Sequence, residues 1–230
     1  MELLLIKSKE FIIFTLERQK MEFFSVSSFK KTDSWEYFFD ADLTCCTKNF
    51  EGSKIVICDK SGFVTLFNFL KSSEQNKQPQ VACNRRNDPV ACIEISSQLE
   101  TDKIISCSQD RDLRIWTKDV GTFVKKYDLS SFTSENITAM KLGKDQNNLF
   151  LGSKDMNVYL IDIAKGKLCV VYEGHWNRVN AIYTIPTKDI LVTISESNIK
   201  VWDLEYDECI KNMNDHSSSI VHIAQSKKDS

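Results

Sequence analysis

One short pattern recurs four times along this chain and constrains its fold more than any other feature. Its clearest copy runs from Asn198 to Leu204, where apolar and polar residues alternate. The fifth residue of each copy is large and apolar: Phe67, Trp116, Ile161 and Trp202. The steps between these positions are 49, 45 and 41 residues. Because alternation with a period of two is typical of a half-buried β-strand, the chain is predicted to repeat one strand-rich unit.

Each unit divides into four short strands separated by polar turns. In the last unit the strands, labelled a to d in chain order, span residues 178–185, 190–194, 198–204 and 208–213. Pro186 and the polar residues after it predict the a–b turn. A four-stranded repeat of forty-odd residues is typical of a β-propeller blade. Four full blades are therefore predicted, at residues 43–84, 90–127, 136–172 and 178–213.

The two ends of the chain predict one further blade. Residues 1–31 contain three strand-like runs, at 2–7, 10–17 and 21–29, and residues 217–225 contain one. Together they make a shared blade, which gives a single domain of five blades over the whole chain and removes exposed strand edges. In a second interpretation, which stays open, the chain is an incomplete part of a larger propeller. The predicted fold class is all-β, a β-propeller of four-stranded antiparallel blades.

The charge balance argues against a chain devoted to nucleic acid or to an anionic membrane. Lys and Arg number 30 and Asp and Glu number 32, for a formal net charge of -2. No global electrostatic bias therefore favours a polyanion. The apolar run at residues 3–6 is far too short for a signal peptide or a membrane span. We expect a protein of the cytoplasm or the nucleus.

A search for reactive groups returns little. The 8 Cys lie mostly in apolar, strand-like runs without the Cys-x-x-Cys spacing of a zinc site, as expected for reduced Cys acting as a small hydrophobe. There are 3 His, and no zinc-protease, nucleophile-elbow or phosphate-binding motif occurs. The sequence therefore predicts no catalytic residue, no cofactor and no metal site, and we expect that the chain is not an enzyme.

Two of the copies carry more specific signals than alternation alone. Trp116 is preceded by Ser106 and Asp110, and Trp202-Asp203 is preceded by Gly174-His175. These residues resemble the WD-repeat (WD40) family, and the chain is similar to a divergent member of it over nearly its whole length. In that family a His from the d–a turn, a Ser or Thr in strand b, an Asp in the b–c turn and a Trp in strand c form a hydrogen-bonded set.

The resemblance implies structural roles residue by residue. The last unit supplies His175, Thr193 and Trp202, with Glu196 or Ser197 where the family has Asp. The other units keep only part of the set, since Ile161 replaces the Trp that would accompany Asp155. The positions that the resemblance assigns are Ser106, Asp110, Trp116, Asp155, His175, Thr193, Trp202 and Asp203. A Trp in strand c is expected to fill the space between adjacent blades.

The turns carry the candidate binding residues. In the family the d–a and b–c turns gather at one end of the propeller. Trp176 is the sharpest candidate, because an aromatic beside an Arg is typical of interaction hot spots; alternatively, its ring folds back onto a neighbouring blade. The candidate partner-binding residues are Arg85, Arg86, Arg111, Lys154, Trp176, Asn177 and Arg178.

Two hypotheses for function follow. The first is a non-catalytic protein–protein interaction scaffold or adaptor, which binds a partner segment on the d–a and b–c turns and works within a multi-subunit complex. The second is a nucleic-acid-associated subunit of an RNA-processing or RNA-modifying complex, suggested by the clustered Arg and Lys of the turns. The neutral total charge favours the first.

Overall fold

A computed structural model describes most of the chain: residues 2–6, 10–15, 20–25, 28, 30, 37–49, 54–68, 81–83, 88–96, 103–117, 123–185 and 187–220. These residues are nearly all in β-strands and turns, and they form five four-stranded antiparallel sheets. The chain divides into two compact units, residues 1–126 and 127–230. Each of these units, called unit 1 and unit 2 from here on, contains more than one sequence repeat. The fold class is therefore all-β and built of propeller blades, as predicted.

Unit 1 contains sheets 1, 2 and 3. Sheet 1 consists of β1 (Glu2–Ile6), β2 (Glu10–Thr15), β3 (Lys20–Ser25) and β4 (Tyr37–Phe38). Sheet 2 consists of β5 (Leu43–Lys48), β6 (Lys54–Asp59), β7 (Val64–Asn68) and β8 (Val81–Cys83). Sheet 3 consists of β9 (Val90–Ser96), β10 (Lys103–Ser108), β11 (Asp112–Thr117) and β12 (Phe123–Asp128), the last of which crosses the boundary between the units.

Unit 2 contains sheets 4 and 5, preceded by one turn of 3₁₀ helix at Leu129–Ser131. Sheet 4 consists of β13 (Ile137–Leu142), β14 (Asn148–Ser153), β15 (Val158–Asp162) and β16 (Lys167–Tyr172). Sheet 5 consists of β17 (Ala181–Ile185), β18 (Ile190–Ile194), β19 (Ile199–Asp203) and β20 (Glu208–Met213). In both sheets neighbouring strands in sequence are neighbours in space.

Several strand ends differ from the sequence prediction, and two differences concern whole residues or strands. Strand β17 begins at Ala181 rather than at residue 178, and the Val179 amide before it donates to Ser153 of sheet 4. Sheet 1 gains β4, a two-residue strand that pairs with β3 and that is too short to show alternation. The predicted shared blade requires a strand at residues 217–225; residues 221–225 lie outside the described part of the chain, so that pairing stays a prediction.

Within each unit, adjacent sheets pack face to face around a buried Trp. In unit 1, Trp116 belongs to one apolar cluster with Val56 and Leu66 of sheet 2. In unit 2, Trp202 belongs to a cluster with Phe150 and Tyr172 of sheet 4. A buried Trp removes a large apolar area from water, so each ring fills the space between two sheets, as the resemblance implies.

Backbone hydrogen bonds between sheets 4 and 5 fix the position of one sheet along the strand direction of the other. The amide of Val179, just before β17, donates to the carbonyl of Ser153 at 3.1 Å, and its carbonyl accepts from the Thr138 hydroxyl. Val179 lies so close to sheet 4 that a Cβ on Gly152 would stand 2.7 Å from its Cγ1. A similar bond occurs at sheet 5, where the Ile220 amide, 41 residues after Val179, donates to the carbonyl of Glu196 in the b–c turn at 2.6 Å.

The contact at Gly152 yields a first prediction. We expect Gly152→Ala to lower the free energy of unfolding by about 1–3 kcal/mol, the usual cost of overpacking, because the new methyl group meets Val179. In a Val179→Ala background the loss should be clearly smaller, because the clashing Cγ1 atom is gone. Urea titrations of the four proteins in this double-mutant cycle measure both values. Fully additive losses would contradict the proposed contact.

Candidate functional site

In sheet 5, three side chains of the hydrogen-bonded set that the resemblance implies are joined by hydrogen bonds: His175, Thr193 and Trp202. The Thr193 hydroxyl lies 2.8 Å from Trp202 Nε1, which donates to it, and 2.7 Å from His175 Nε2. All three side chains are buried. The set ties the segment before β17 to strands β18 and β19, and so makes His175 a structural residue.

The fourth position is altered by a shorter turn. In sheet 4 the b–c turn closes from the Ser153 amide to the Asn157 carbonyl, whereas in sheet 5 it closes from Ser195 to Asn198, one residue less. Neither Glu196 nor Ser197 takes the role of the family's Asp, because Nδ1 of His175 has no hydrogen-bond partner.

The Asn198 amide stands in place of that carboxylate without completing the bond. Among the described residues, His175 Nδ1 and Asn198 Oδ1 are the buried side-chain polar atoms without a partner. Burial lowers the pKa of His175 to about 4, although the Asn198 amide acts in the opposite direction, and the charge of Lys200 lowers it further. His175 is therefore neutral at pH 7.

Sheet 3 keeps a different part of the set. Trp116 Nε1 donates to the Ser106 hydroxyl at 3.0 Å. Asp110 acts as a turn residue, because its carboxylate accepts from the Asp112 amide at 2.9 Å and from the Ser108 hydroxyl. The predicted roles of Trp116 and Ser106 are thus observed as one hydrogen-bonded pair.

In sheet 4 a Thr replaces the His. The Asp155 carboxylate accepts from the Thr133 hydroxyl and, at 2.7 Å, from the Tyr159 hydroxyl. Thr133 stands seven residues before Met140, just as His175 stands seven before Ile182, and both later residues pair with equivalent positions of strand b. Sequence reasoning missed Thr133 because it searched for His, although the constant spacing would have identified the position.

In sheet 2 the same positions are apolar. Phe39 stands seven residues before Cys46 and takes the His position, while Phe67 takes the Trp position. The two rings meet edge to face with their centroids 6.2 Å apart, a favourable aromatic geometry. One set of positions is therefore occupied by polar residues in some sheets and by aromatic rings in another.

Buried thiols in sheet 3 behave as apolar residues. Cys92 and Cys107 pair across β9 and β10, and Cys45 packs against the apolar cluster around Trp116. Its hydrogen bond to Cys107 and its burial raise the pKa of Cys92 well above its usual range. A thiol held protonated in this way is a poor nucleophile and metal ligand. The described residues contain no group of three or more His, Cys, Asp or Glu able to hold a metal ion.

The segment from Trp176 to Arg178 is the most exposed part of the candidate surface. It lies between two buried residues, His175 and Val179, and all three of its own residues are exposed. Trp176 is 68% exposed, so its ring does not fold back onto a neighbouring sheet. Because His175 bonds to Thr193 and Val179 bonds to Ser153, both ends of this segment are anchored.

The other predicted binding residues divide between the two units. In unit 2, Lys154 is exposed and the adjacent Met156 is 42% exposed in a left-handed conformation, φ 72°. Arg111, in unit 1, adopts the equivalent left-handed position with φ 65°. Arg85 and Arg86 lie outside the described residues, so the predicted convergence of Arg side chains stays a prediction. Asp203 caps the c–d turn, where it accepts from the Glu205 amide at 2.8 Å.

The opposite end of unit 2 holds a cleft of about 620 Å³. Acidic and basic residues of the a–b and c–d turns line it, and Lys144 lies 3.7 Å from Asp189 there. Both partners of this ion pair are largely exposed, so it adds little stability. In the described part of the chain, no helix is long and apolar enough to span a lipid bilayer.

These features define an all-β protein of four-stranded sheets, in which His, Thr and Trp side chains of sheet 5 join the segment before β17 to strands β18 and β19 by hydrogen bonds. A family model described as "WD domain, G-beta repeat" matches residues 166–203. The chain is 27% identical over 124 residues to the WD repeat domain-containing protein 83 homolog of Dictyostelium discoideum, and 23% identical over 121 residues to Autophagy-related protein 16 of Arabidopsis thaliana. Residues 166–203 thus match one WD repeat, and about half of the chain is similar to WD-repeat proteins of this kind.

Both relatives are considerably longer than the matched part. The alignments cover 53% and 51% of this chain, but 37% of the Dictyostelium protein and 23% of the Arabidopsis protein. The shared part therefore concerns the repeats and leaves most of each relative without a counterpart in the alignment.

The central hydroxyl of the sheet 5 set can be tested by mutation. We expect Thr193→Val to lower the free energy of unfolding by about 2 kcal/mol or more, because Trp202 Nε1–H and His175 lose their partner while remaining buried. Thr193→Ser keeps the hydroxyl and should cost only about 0.8 kcal/mol, for one buried carbon atom. Urea unfolding followed by tryptophan fluorescence measures both; equal losses would contradict the role of the hydroxyl.

The lowered pKa of His175 predicts a pH dependence. Because its folded value of about 4 lies below the unfolded value of 6.5, the unfolded chain binds the proton first as pH falls. Stability is therefore lost between about pH 6.5 and 4, and the loss from pH 7 to 4.5 should be about 2 kcal/mol. Urea unfolding at the two pH values should show this excess loss in the parent protein but not in His175→Gln. Identical losses would show that His175 does not titrate as described.

Proposed function

We propose that the chain is a non-catalytic protein-interaction scaffold that binds a partner segment across the b–c and d–a turns of unit 2. The observation that carries this proposal is the exposed Trp176, held between two buried anchors. A large apolar ring exposed on a protein surface marks an interaction site when its surroundings hold it in place. Trp176 meets this condition because His175 and Val179 are both fixed by hydrogen bonds.

Anchoring favours binding through entropy. A flexible loop loses conformational freedom when a partner immobilises it, and that loss weakens affinity. Here the loop consists of only three exposed residues between fixed ends, so little freedom is left to lose. Trp and Arg are also the residue types most enriched among hot spots, and Trp176 and Arg178 stand two positions apart.

The neighbouring turn of sheet 4 extends this surface. The Val179–Ser153 hydrogen bond brings the end of the Trp176 segment beside the turn that carries Lys154 and Met156. Met156 adds a flexible apolar side chain, which adapts readily to different partners. We call this surface, formed by Lys154, Met156, Trp176, Asn177 and Arg178, the turn surface. Its mixture of apolar and cationic groups suits an extended peptide with apolar and acidic residues.

The match to a WD repeat supports a scaffold, because the recognisable residues of that repeat take structural positions. Residues 166–203 include His175 and Trp202, and both of these side chains are hydrogen-bonded to Thr193 in the interior. We therefore assign binding to the turns and stability to the repeat. A place in a multi-subunit complex of the cytoplasm or nucleus belongs to the same proposal.

Trp176→Ala tests the proposal, with Tyr206→Ala as a matched control. Both rings are 68% exposed in unit 2, but Tyr206 lies in the c–d turn, at the other end of sheet 5. In quantitative affinity capture with nuclease-treated extract, we expect Trp176→Ala to capture at least tenfold less of the specifically bound proteins than the parent protein does. Tyr206→Ala should capture the same amount as the parent protein. Equal capture by the parent protein and both variants would exclude the turn surface. Loss of capture on nuclease treatment alone would instead support the nucleic-acid hypothesis.

A further inference from the structure

One position of strand c carries a different polar residue in each of the last three sheets. Arg114, Tyr159 and Lys200 pair with Ser106, Leu151 and Thr193 of the adjacent strands b. Each stands two residues before the Trp position of its own sheet. The three side chains therefore occupy equivalent places near the b–c turn.

In sheets 3 and 4 this residue binds a carboxylate at the b–c turn. Arg114 lies 3.2 Å from the Asp112 carboxylate and 4.0 Å from that of Asp110. Tyr159 donates to Asp155 at 2.7 Å. Burial would raise the pKa of Asp112, but hydrogen bonds from Lys126 and Arg114 outweigh it and lower that pKa. In both sheets, then, an acidic residue of the turn satisfies the polar group of strand c.

In sheet 5 no acidic residue takes this place, because the turn from Ser195 to Asn198 is one residue shorter. Its one acidic residue, Glu196, makes no ion pair with Lys200, and the Lys200 ammonium has no ion pair or hydrogen bond with any residue in the described part of the chain. Lys200 is nevertheless only 8% exposed. A Lys whose side chain is covered to this extent and has no counter-ion is unusual, since charges at such positions are normally paired.

The ammonium group lies beneath the segment that displays Trp176. A Cβ on Gly174 would stand 3.6 Å from Lys200 Nζ, so the missing side chain leaves room beside the charge. Nζ also lies 5.7 Å from the centroid of the Trp202 ring, near the outer limit of a cation–π contact. His175, whose pKa the charge of Lys200 lowers, is neutral and supplies no negative charge.

The ammonium group remains accessible from outside. Among the described residues, the fully covered side-chain polar atoms without a partner are His175 Nδ1 and Asn198 Oδ1. Lys200 Nζ also lacks an acceptor but is not one of them, so it keeps some contact with solvent. Gly174, which borders it, has φ 111°, a conformation that side-chain-bearing residues rarely adopt, so the opening is maintained by a residue that is hard to replace.

We propose that Lys200 is an anion-binding residue that receives the carboxylate of an Asp or Glu side chain in the partner segment. The partner's acid would take the place that Asp110, Asp112 and Asp155 take in the other sheets. Since Trp176 follows Gly174 by two residues, the partner segment would set an apolar residue against the indole ring and its acid against Lys200. This proposal rests on the proposed function for the identity of the partner, but not for the anion site itself.

The anion site can be tested without any partner. Acetate is titrated against chloride at constant ionic strength while the His175 ring is followed by NMR. At pH 7, where acetate is fully ionised, acetate bound beside Lys200 changes the surroundings of the neutral His175 ring, so we expect saturable shifts of its NMR signals in the parent protein and in Lys200→Arg. In Lys200→Gln the two salts should act alike, whereas Lys144→Gln, which changes an exposed Lys at the opposite end of unit 2, should respond as the parent does. Equal effects of acetate and chloride in the parent protein would overturn the site.

The identity of the ligand is tested on peptide arrays whose central position is Asp, Glu, Asn, Gln or phosphoserine. The parent protein should bind the acidic peptides at least fivefold better than their amide counterparts, and Lys200→Gln should lose this preference. If phosphoserine is preferred to Glu, or if Lys200→Gln retains the acidic preference, the assignment to a carboxylate is wrong.

Trp176→Ala separates this proposal from the proposed function. We expect Trp176→Ala to weaken the binding of acidic and amide peptides by the same factor, because it removes the apolar contact and leaves the charge of Lys200 in place. If Trp176→Ala binds all peptides as the parent does while Lys200→Gln loses the acidic preference, the anion site stands and the role of Trp176 falls. If no peptide binds but acetate acts through Lys200, the proposed function fails and the anion site remains.

Discussion

The fold depends on the burial of one sheet face against the next. A four-stranded sheet with two apolar faces is stable only when another layer covers them, and a Trp such as Trp202 supplies much of the covering surface. Packing alone does not fix how far one sheet slides along its neighbour. The hydrogen bond from Val179 to Ser153 fixes this relative position. Apolar packing therefore holds the sheets together, and directional hydrogen bonds determine where one sheet lies along the other.

This division of labour explains why the interior sets vary so widely. In sheet 5, Trp202 and His175 are joined through hydrogen bonds to Thr193. In sheet 2 the edge-to-face rings of Phe39 and Phe67 occupy the same positions and make the corresponding contact. Polar and aromatic solutions are exchangeable because each joins the d–a segment to strands b and c. The strand c position two residues before the Trp position is different, because a substitution there can change the local charge. Lys200 at this position of sheet 5 adds a positive charge that no acid of the described chain neutralises.

The strands could be predicted from the sequence because alternation and turn chemistry both have short range. The strand β18 at Ile190–Ile194 was predicted with its observed bounds, and the pairing of Trp202 with Thr193 followed from the family pattern. Thr133 could not be found by residue type, because its role depends on a spacing to Met140 that emerges only from strand register. Nor could the exposure of Trp176 be predicted, since it depends on neighbours that are distant in sequence and anchor the segment.

The repeat in the sequence and the sheet in the structure are out of step. The matched repeat runs over residues 166–203, so it joins β16 of sheet 4 to the first three strands of sheet 5. A fragment cut at these limits would contain an outer strand without its sheet and a sheet without its outer strand. A fragment cut instead at the limits of sheet 4 would lose Val179, whose side chain covers Gly152. Neither cut yields a piece that is complete, and consecutive repeats are therefore expected to unfold together rather than one at a time.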